Sequence, residues 1–253
     1  SVTASNPYSG YFYSITPSSF WGGQTSTITI TVKNNGYVTA DYKIEPTNVP
    51  SGWTVDDDEI DGNNYKTISS ISSGSTKSTT YKCTPPTNGG SGTITWKLWV
   101  NVGGTWQYED TEYQSVTANY PYQGDITSVS PSSFTGGQET AVTVHVTNNG
   151  IGGTLIVDPY SWPDGLAIDD HEFDGNDDIQ KYVSSGSSAN FIFYVTPPEQ
   201  GGSGTIVWKL YYDIQWPTDN VLLDTYSQSV TASNPYSGYF YSITPSSFWG
   251  GQT

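Results

Sequence analysis

The sequence repeats itself at a fixed interval, and this limits what it can fold into more than any single residue does. Residues 229–253, SVTASNPYSGYFYSITPSSFWGGQT, restate residues 1–25 letter for letter. A looser copy, SVTANYPYQGDITSVSPSSFTGGQE, begins at Ser115 and agrees with the opening at 15 of 25 positions. Ser1, Ser115 and Ser229 are therefore spaced 114 residues apart. Self-similarity at a fixed period marks a repeat architecture, each copy being one structural unit. The expected organisation is a repeat A over 1–114, a diverged repeat B over 115–228, and the first strand or strands of a third, A-type repeat over 229–253. The third copy resembles A and not B, so the chain reads as one window on an alternating array. A unit of this length is large enough to bury a core of its own.

Within each unit the strongest pattern has period two. In Thr27–Val32, Ile28, Ile30 and Val32 alternate with threonines, and an Asn-Asn-Gly turn follows at 34–36. That predicts a half-buried strand and a reversal. Repeat B keeps Val142, Val144 and Val146 inward and puts His145 on the polar side. A second alternating run carries Ile94, Trp96, Leu98 and Val100, matched by Ile206, Trp208, Leu210 and Tyr212. Trp96 and Trp208 are expected in the core. Paired prolines and glycines before these runs stop one strand and turn the chain back. No stretch has sustained helical periodicity. Seven strands per unit are expected, near 10–16, 25–32, 40–46, 65–71, 78–83, 92–100 and 105–118. That predicts an all-β fold of tandem seven-stranded antiparallel Ig-like β-sandwiches.

Two runs, SPSSFTGGQETAVTVHVTNNG at 130–150 and TPP…GGSGTIVWKLYYD ending at Asp213, resemble the CARDB-type and related Ig-like modules of prokaryotic extracellular surface proteins. The resemblance covers most of both units. It implies the sandwich fold and an extracellular, cell-surface setting. Such modules serve as spacers, adhesion domains and enzyme appendages, and they bring no shared catalytic residues.

Charge excludes some partners. The formal net charge is -16, and all eight basic residues are lysine. Nucleic-acid binding is not expected, because neutralising phosphates takes a basic stripe. An anionic membrane surface would repel such a chain. No membrane span is read in this window. Cys83 is the one cysteine, aligned with Val195, and reads as a small buried apolar residue. Two histidines and one cysteine make no credible triad or zinc site, so the chain is expected not to be an enzyme.

The carboxylates gather in one turn-like segment of each unit, DDDEIDGNN at 56–64 and DDHEFDGND at 169–177. Asp57, Glu59, Asp61 and Asn63 match Asp170, Glu172, Asp174 and Asn176. Alternate oxygen-bearing residues ahead of a glycine are the first half of a calcium loop. The twelfth position is Ile68 or Lys181 where a bidentate glutamate belongs. Two readings stand: a calcium site, or a solvated acidic hairpin with Ile60 and Phe173 turned to the core as anchors.

Aromatic residues supply the other candidate site. Repeat A has Tyr11, Tyr13, Trp21 and Trp99 where repeat B has Asp125, Thr127, Thr135 and Tyr211. The fold does not need them, since the sister unit dispenses with most, so they are candidates for a protein contact or a glycan platform. In the third copy, Phe240, Ile243 and Phe248 repeat Phe12, Ile15 and Phe20. A lone strand cannot bury its apolar side, so a neighbouring chain or further repeats are expected to cover them. The function expected is that of a structural tandem-repeat protein of an extracellular filament, surface layer or adhesin stalk, assembling end to end as a homopolymer or with further repeats. The alternative is a set of carbohydrate-binding or accessory modules of a large secreted enzyme.

Overall fold

A computed structural model describes residues 7–171, 177–214 and 220–236. Every regular element in it is a β-strand. The chain forms two compact units, the first ending at Pro121 and the second beginning at Tyr122.

Unit 1 holds β1 (Gly10–Thr16), β2 (Ser19–Trp21), β3 (Ser26–Asn34), β4 (Ala40–Asn48), β5 (Thr54–Asp56), β6 (Lys66–Ile71), β7 (Thr76–Thr84), β8 (Gly90–Val102) and β9 (Thr105–Asn119). They form one sheet in the order β1-β3-β7-β5 and another in the order β2-β9-β8-β4-β6. Unit 2 repeats the plan with β10 (Gly124–Ser130), β11 (Ser133–Thr135), β12 (Thr140–Asn148), β13 (Gly153–Ser161), β14 (Ala167–Asp169), β15 (Ile179–Val183), β16 (Ser188–Thr196), β17 (Gly202–Tyr212) and β18 (Val221–Ser233). Each of the seven expected strands of unit 1 overlaps a strand of the structure. β2 and β5 are additional, and at three residues each they are too short to show a period. β9 runs through the junction at Gln114 and Ser115, because the start of a copied phrase need not coincide with the end of a strand.

The two sheets of each unit share one core. In unit 1, Ile28, Ile30 and Val32 from one sheet join Ile94, Trp96 and Leu98 from the other, all fully buried. Cys83 is fully buried, as is Val195 in its place, and burial pushes the thiol up to about 11. His145 lies exposed on the outer side of β12, its Nδ1 bonded to Asn190 Oδ1.

Two sets of polar groups inside the core, a tryptophan–glutamine pair and an asparagine, are bonded in the same way in both units. Trp96 Nε1 donates to Gln114 Oε1 at 3.0 Å, and Gln114 Nε2 donates to the Pro17 carbonyl at 2.7 Å. Trp208, Gln228 and the Pro131 carbonyl repeat this at 3.0 and 2.8 Å. This relay ties β8 and β9 to the β1–β2 connection. Asn34 is fully buried; its Nδ2 donates to the Val38 and Ile71 carbonyls at 2.8 and 2.7 Å, and its Oδ1 accepts from Gly36 N at 2.8 Å. Asn148 does the same with Ile151, Val183 and Gly150.

β1 and β10 are edge strands, and carboxylates roof their outer sides. Gly10 N donates to Glu109 Oε1 at 3.0 Å, and Phe12 N to Asp110 Oδ2 at 3.1 Å. In unit 2, Ile126 N donates to Asp224 Oδ2 at 2.8 Å. Edge N–H groups left bare invite pairing by another chain.

At one end of the sandwich the units pack differently. Tyr42 of β4 faces Val100 of β8, whereas Leu155 of β13 faces Tyr212 of β17. The tyrosine has moved one strand over, and each hydroxyl still donates to a backbone carbonyl, Ser9 at 2.8 Å or Gly152 at 3.1 Å. A glycine makes room each time. A Cβ on Gly10 would lie 2.3 Å from the Tyr42 ring, and one on Gly153 would lie 2.0 Å from the Tyr212 hydroxyl. Ala40 occupies the place of Gly153 in unit 1, where no phenol approaches from β8.

At the other end, Trp53 packs edge-on against Phe20 at 5.6 Å. Unit 2 has Leu166 there, and a cavity of about 80 Å³ opens beside Phe134, Leu166, Pro163, Pro198 and Val230. Leu166→Trp is therefore expected to stabilise unit 2 by about 1 kcal/mol. The check is a urea titration showing a higher midpoint at unchanged m; a lower midpoint rules out the equivalence of the two sites.

Candidate functional site

The acidic segment of unit 1 joins β5 to β6. Its carboxylates bind their own backbone in short turns. Asp56 Oδ1 accepts from Asp58 N at 2.6 Å, Asp57 Oδ1 from Glu59 N at 3.0 Å, and Asp61 Oδ1 from Asn63 N at 2.9 Å. Such local bonds are what aspartate offers a turn. The hydrogen bonds from Asn63, backbone first and then side chain, hold the exposed Asp61 carboxyl below its ordinary range.

Asp57 differs from the others. It is 2% exposed, and its Oδ2 is buried without a hydrogen-bond partner among the described residues. Nearby, the Tyr81 hydroxyl donates to the Ile44 carbonyl at 2.7 Å and accepts from Lys66 N at 2.9 Å. The Tyr81 phenol is pushed well above its ordinary value, by burial first, with Asp57, Glu45 and Glu59 adding to the rise.

One expectation is corrected here. Ile60 does not anchor the loop; it is fully exposed, and the inward residue is Asp57. Asp58 has a φ of 64°, so the alternation of β5 does not carry past it. His171 adopts the same backbone turn in unit 2, with a φ of 63°. Its ring stacks on Tyr194 at 3.6 Å, and its Nε2 lies 3.3 Å from Glu139 Oε2.

The structure does not gather the expected calcium ligands of unit 1. Asp57 turns inward, while Asp61 and Asn63 are exposed and bonded to each other. Among the described residues no three of His, Cys, Asp and Glu are placed to hold a metal ion. As arranged, the segment does not fit an ion that takes six to eight oxygens. Asp170 is buried like Asp57; Glu172, Phe173, Asp174 and Asn176 lie outside the described residues. A loop that rearranges to take calcium is expected to raise the melting temperature by about 4–8 °C on adding the ion, reversed by chelator. An unchanged melt removes calcium from the account.

The aromatic residues fall into separate places. Tyr11 and Tyr13 are exposed on β1, in the four-stranded sheet. Trp21 on β2 pairs with Asn119, at the far end of β9 from Tyr108, which pairs with Trp99. Eleven residues of strand separate the two positions, roughly 35 Å. Trp99 is half-buried on the outer face of β8 and meets Tyr108 edge-on at 5.9 Å. Lys43 Nζ lies 5.0 Å from the Trp99 ring centre and 5.1 Å from that of Tyr65. The Trp99 indole N–H is buried with no acceptor among the described residues. Trp99 thus belongs to a cluster with Lys43, Tyr65 and Tyr108. The sequence signal for Tyr108 was the Gly103-Gly104 pair. A two-residue turn there pairs Val102 with Thr105, and hence Trp99 with Tyr108. Phe240, Ile243 and Phe248 lie outside the described residues.

No family model matches the chain, and no curated protein matches it. Solved structures do. A protein of unknown function from Porphyromonas gingivalis W83 is 12% identical, with a TM-score of 0.26, over 90% of this chain and 100% of that one. Trypsin-activated alpha-2-macroglobulin from Escherichia coli is 10% identical, with a TM-score of 0.30, over 89% of this chain and 18% of that one. Red sea bream transglutaminase is 11% identical, with a TM-score of 0.30, over 90% of this chain and 32% of that one. None of these likenesses bears on function.

Proposed function

We propose that the chain is a structural, non-enzymatic repeat protein: tandem Ig-like sandwiches, of the kind CARDB-type modules represent, in an extracellular filament, surface layer or adhesin stalk. The observation that carries this reading is the division between what the two units keep and what they change. Both keep the tryptophan–glutamine relay and the buried asparagine, which hold the fold. They differ on the outer face, where the Trp99 cluster of unit 1 faces solvent and unit 2 has Tyr211 and Leu222 in the corresponding strand pair. A repeated frame with an altered face suits ordered contacts between units of an array.

Sedimentation of the purified chain over a range of concentrations tests the proposal. Trp99→Tyr, the unit 2 residue, is expected to weaken association about 10-fold or more, as loss of a central aromatic anchor does. Trp21→Thr, at the other end of β9, is the comparison. Unaltered association in both variants overturns the role of these residues. The second reading, glycan-binding modules of a secreted enzyme, draws on the exposed rings of Tyr11 and Tyr13. Co-sedimentation with insoluble polysaccharide without self-association would put it first.

A further inference from the structure

We propose that unit 2 carries a binding cup for a small organic ammonium ion, walled by Tyr122, Tyr182 and Tyr212 and closed on one side by Asp213. It does not depend on the assembly reading above. These four residues, with Ile151 and Thr154, line a cleft of about 350 Å³. That lies at the small end of the ~300–1,000 Å³ typical of small-molecule sites.

The walls follow from the local rebuilding of unit 2. Moving the tyrosine from β4 to β17 brings the Tyr212 ring to 4.7 Å from that of Tyr122, tilted by 45°, so the two make a corner. Tyr182 on β15, 71% exposed, forms the third side. Two successive glycines permit the closure. A Cβ on Gly152 would lie 2.8 Å from the Tyr182 hydroxyl, and one on Gly153 would lie 2.0 Å from that of Tyr212. Asp213 is fixed against β13, its N–H donating to the Thr154 carbonyl at 3.0 Å. Unit 1 has Val100 in the place of Tyr212 and so cannot form this corner.

Ring faces and a carboxylate select a cation with an apolar skin. Aromatic faces attract ammonium groups through their quadrupoles, most strongly when the site is partly desolvated. The field has the right sign. The Tyr212 phenol is raised above its ordinary value, by burial first, and the Asp213 carboxylate adds to the rise. Among the described residues no lysine lines the cleft, and the chain carries a net charge of -16.

The test is an NMR titration of the full chain with choline and with its neutral carbon isostere, 3,3-dimethylbutan-1-ol. Choline is expected to saturate with a Kd on the order of 1 mM, with shifts confined to unit 2, and the isostere to bind about 10-fold more weakly. Tyr182→Ala, at an exposed position, and Asp213→Asn are each expected to weaken choline about 10-fold. Asp213→Asn should leave the isostere unaffected, which separates charge from shape. The proposal is overturned if choline fails to saturate, if the isostere binds equally well, or if Tyr182→Ala binds like the parent. A neutral monosaccharide binding more tightly than choline also overturns it and makes the cup a sugar site.

Discussion

Asn148→Asp is expected to cost unit 2 about 3–5 kcal/mol at neutral pH, a large share of the ~5–15 kcal/mol that holds a domain folded. The Asn148 amide donates to the Ile151 and Val183 carbonyls at 2.7 and 2.8 Å, in a fully buried position. A carboxylate there has no proton to offer and sets a third acceptor against two. The new carboxyl's folded-state pKa is raised above its unfolded value by burial and by those carbonyls. Its penalty is therefore absent below the unfolded carboxyl pKa, near 4, and grows as pH rises through the folded pKa. Denaturant unfolding of parent and variant, compared at each pH, should show the gap closing as pH falls from 7 to 4. A gap independent of pH would mean that the asparagine acts by shape alone. Asn34→Asp should behave alike in unit 1, through Val38 and Ile71.

Gly153→Ala is expected to cost about 1–3 kcal/mol, the range for overpacking a filled core. The added methyl meets the Tyr212 hydroxyl at 2.0 Å and its ring carbons from 2.4 Å. Tyr212 is buried and its ring lies 4.7 Å from that of Tyr122, so the phenol has little room to retreat. The triple change Gly153→Ala, Leu155→Tyr, Tyr212→Val copies the unit 1 set of Ala40, Tyr42 and Val100. Gly124, equivalent to Gly10, is already in place for the moved ring. The triple variant should regain most of the loss, a non-additivity of the kind that packed neighbours show. A triple variant no more stable than Gly153→Ala alone would show that the two packings are not interchangeable.

Much of this framework is legible in the sequence, for a simple reason. β3, β8, β12 and β17 lie between a core and an outer face, so their residues alternate and declare themselves. The three-residue strands β2, β5, β11 and β14 leave no pattern to read. Gln114 and Gln228 were visible as a match at the repeat spacing, but a glutamine on a strand normally signals the wet side. Only the nearby indole N–H brings them inward. The acidic segment misled because the alternation rule presumes an extended backbone, and Asp58 and His171 interrupt it with positive φ. The aromatic residues of unit 1 looked like one set because sequence comparison counts substitutions without saying which sheet, or which end of a strand, carries each.

The carboxylate roofs over β1 and β10 have a consequence for how such a chain is made. Asp110 follows Phe12 by 98 residues, and Asp224 follows Ile126 by the same interval. As the polypeptide emerges from the ribosome, the edge is laid down among the first strands and its cover arrives with the last. Until then a growing copy shows bare donors to any strand nearby, including those of the diverged copy before it. A copy cut short by a stalled or nicked chain never receives its cover and stays adhesive, whereas a finished one is sealed by its own final strand. The acids near the end of each unit thus close the edge only once the copy is complete.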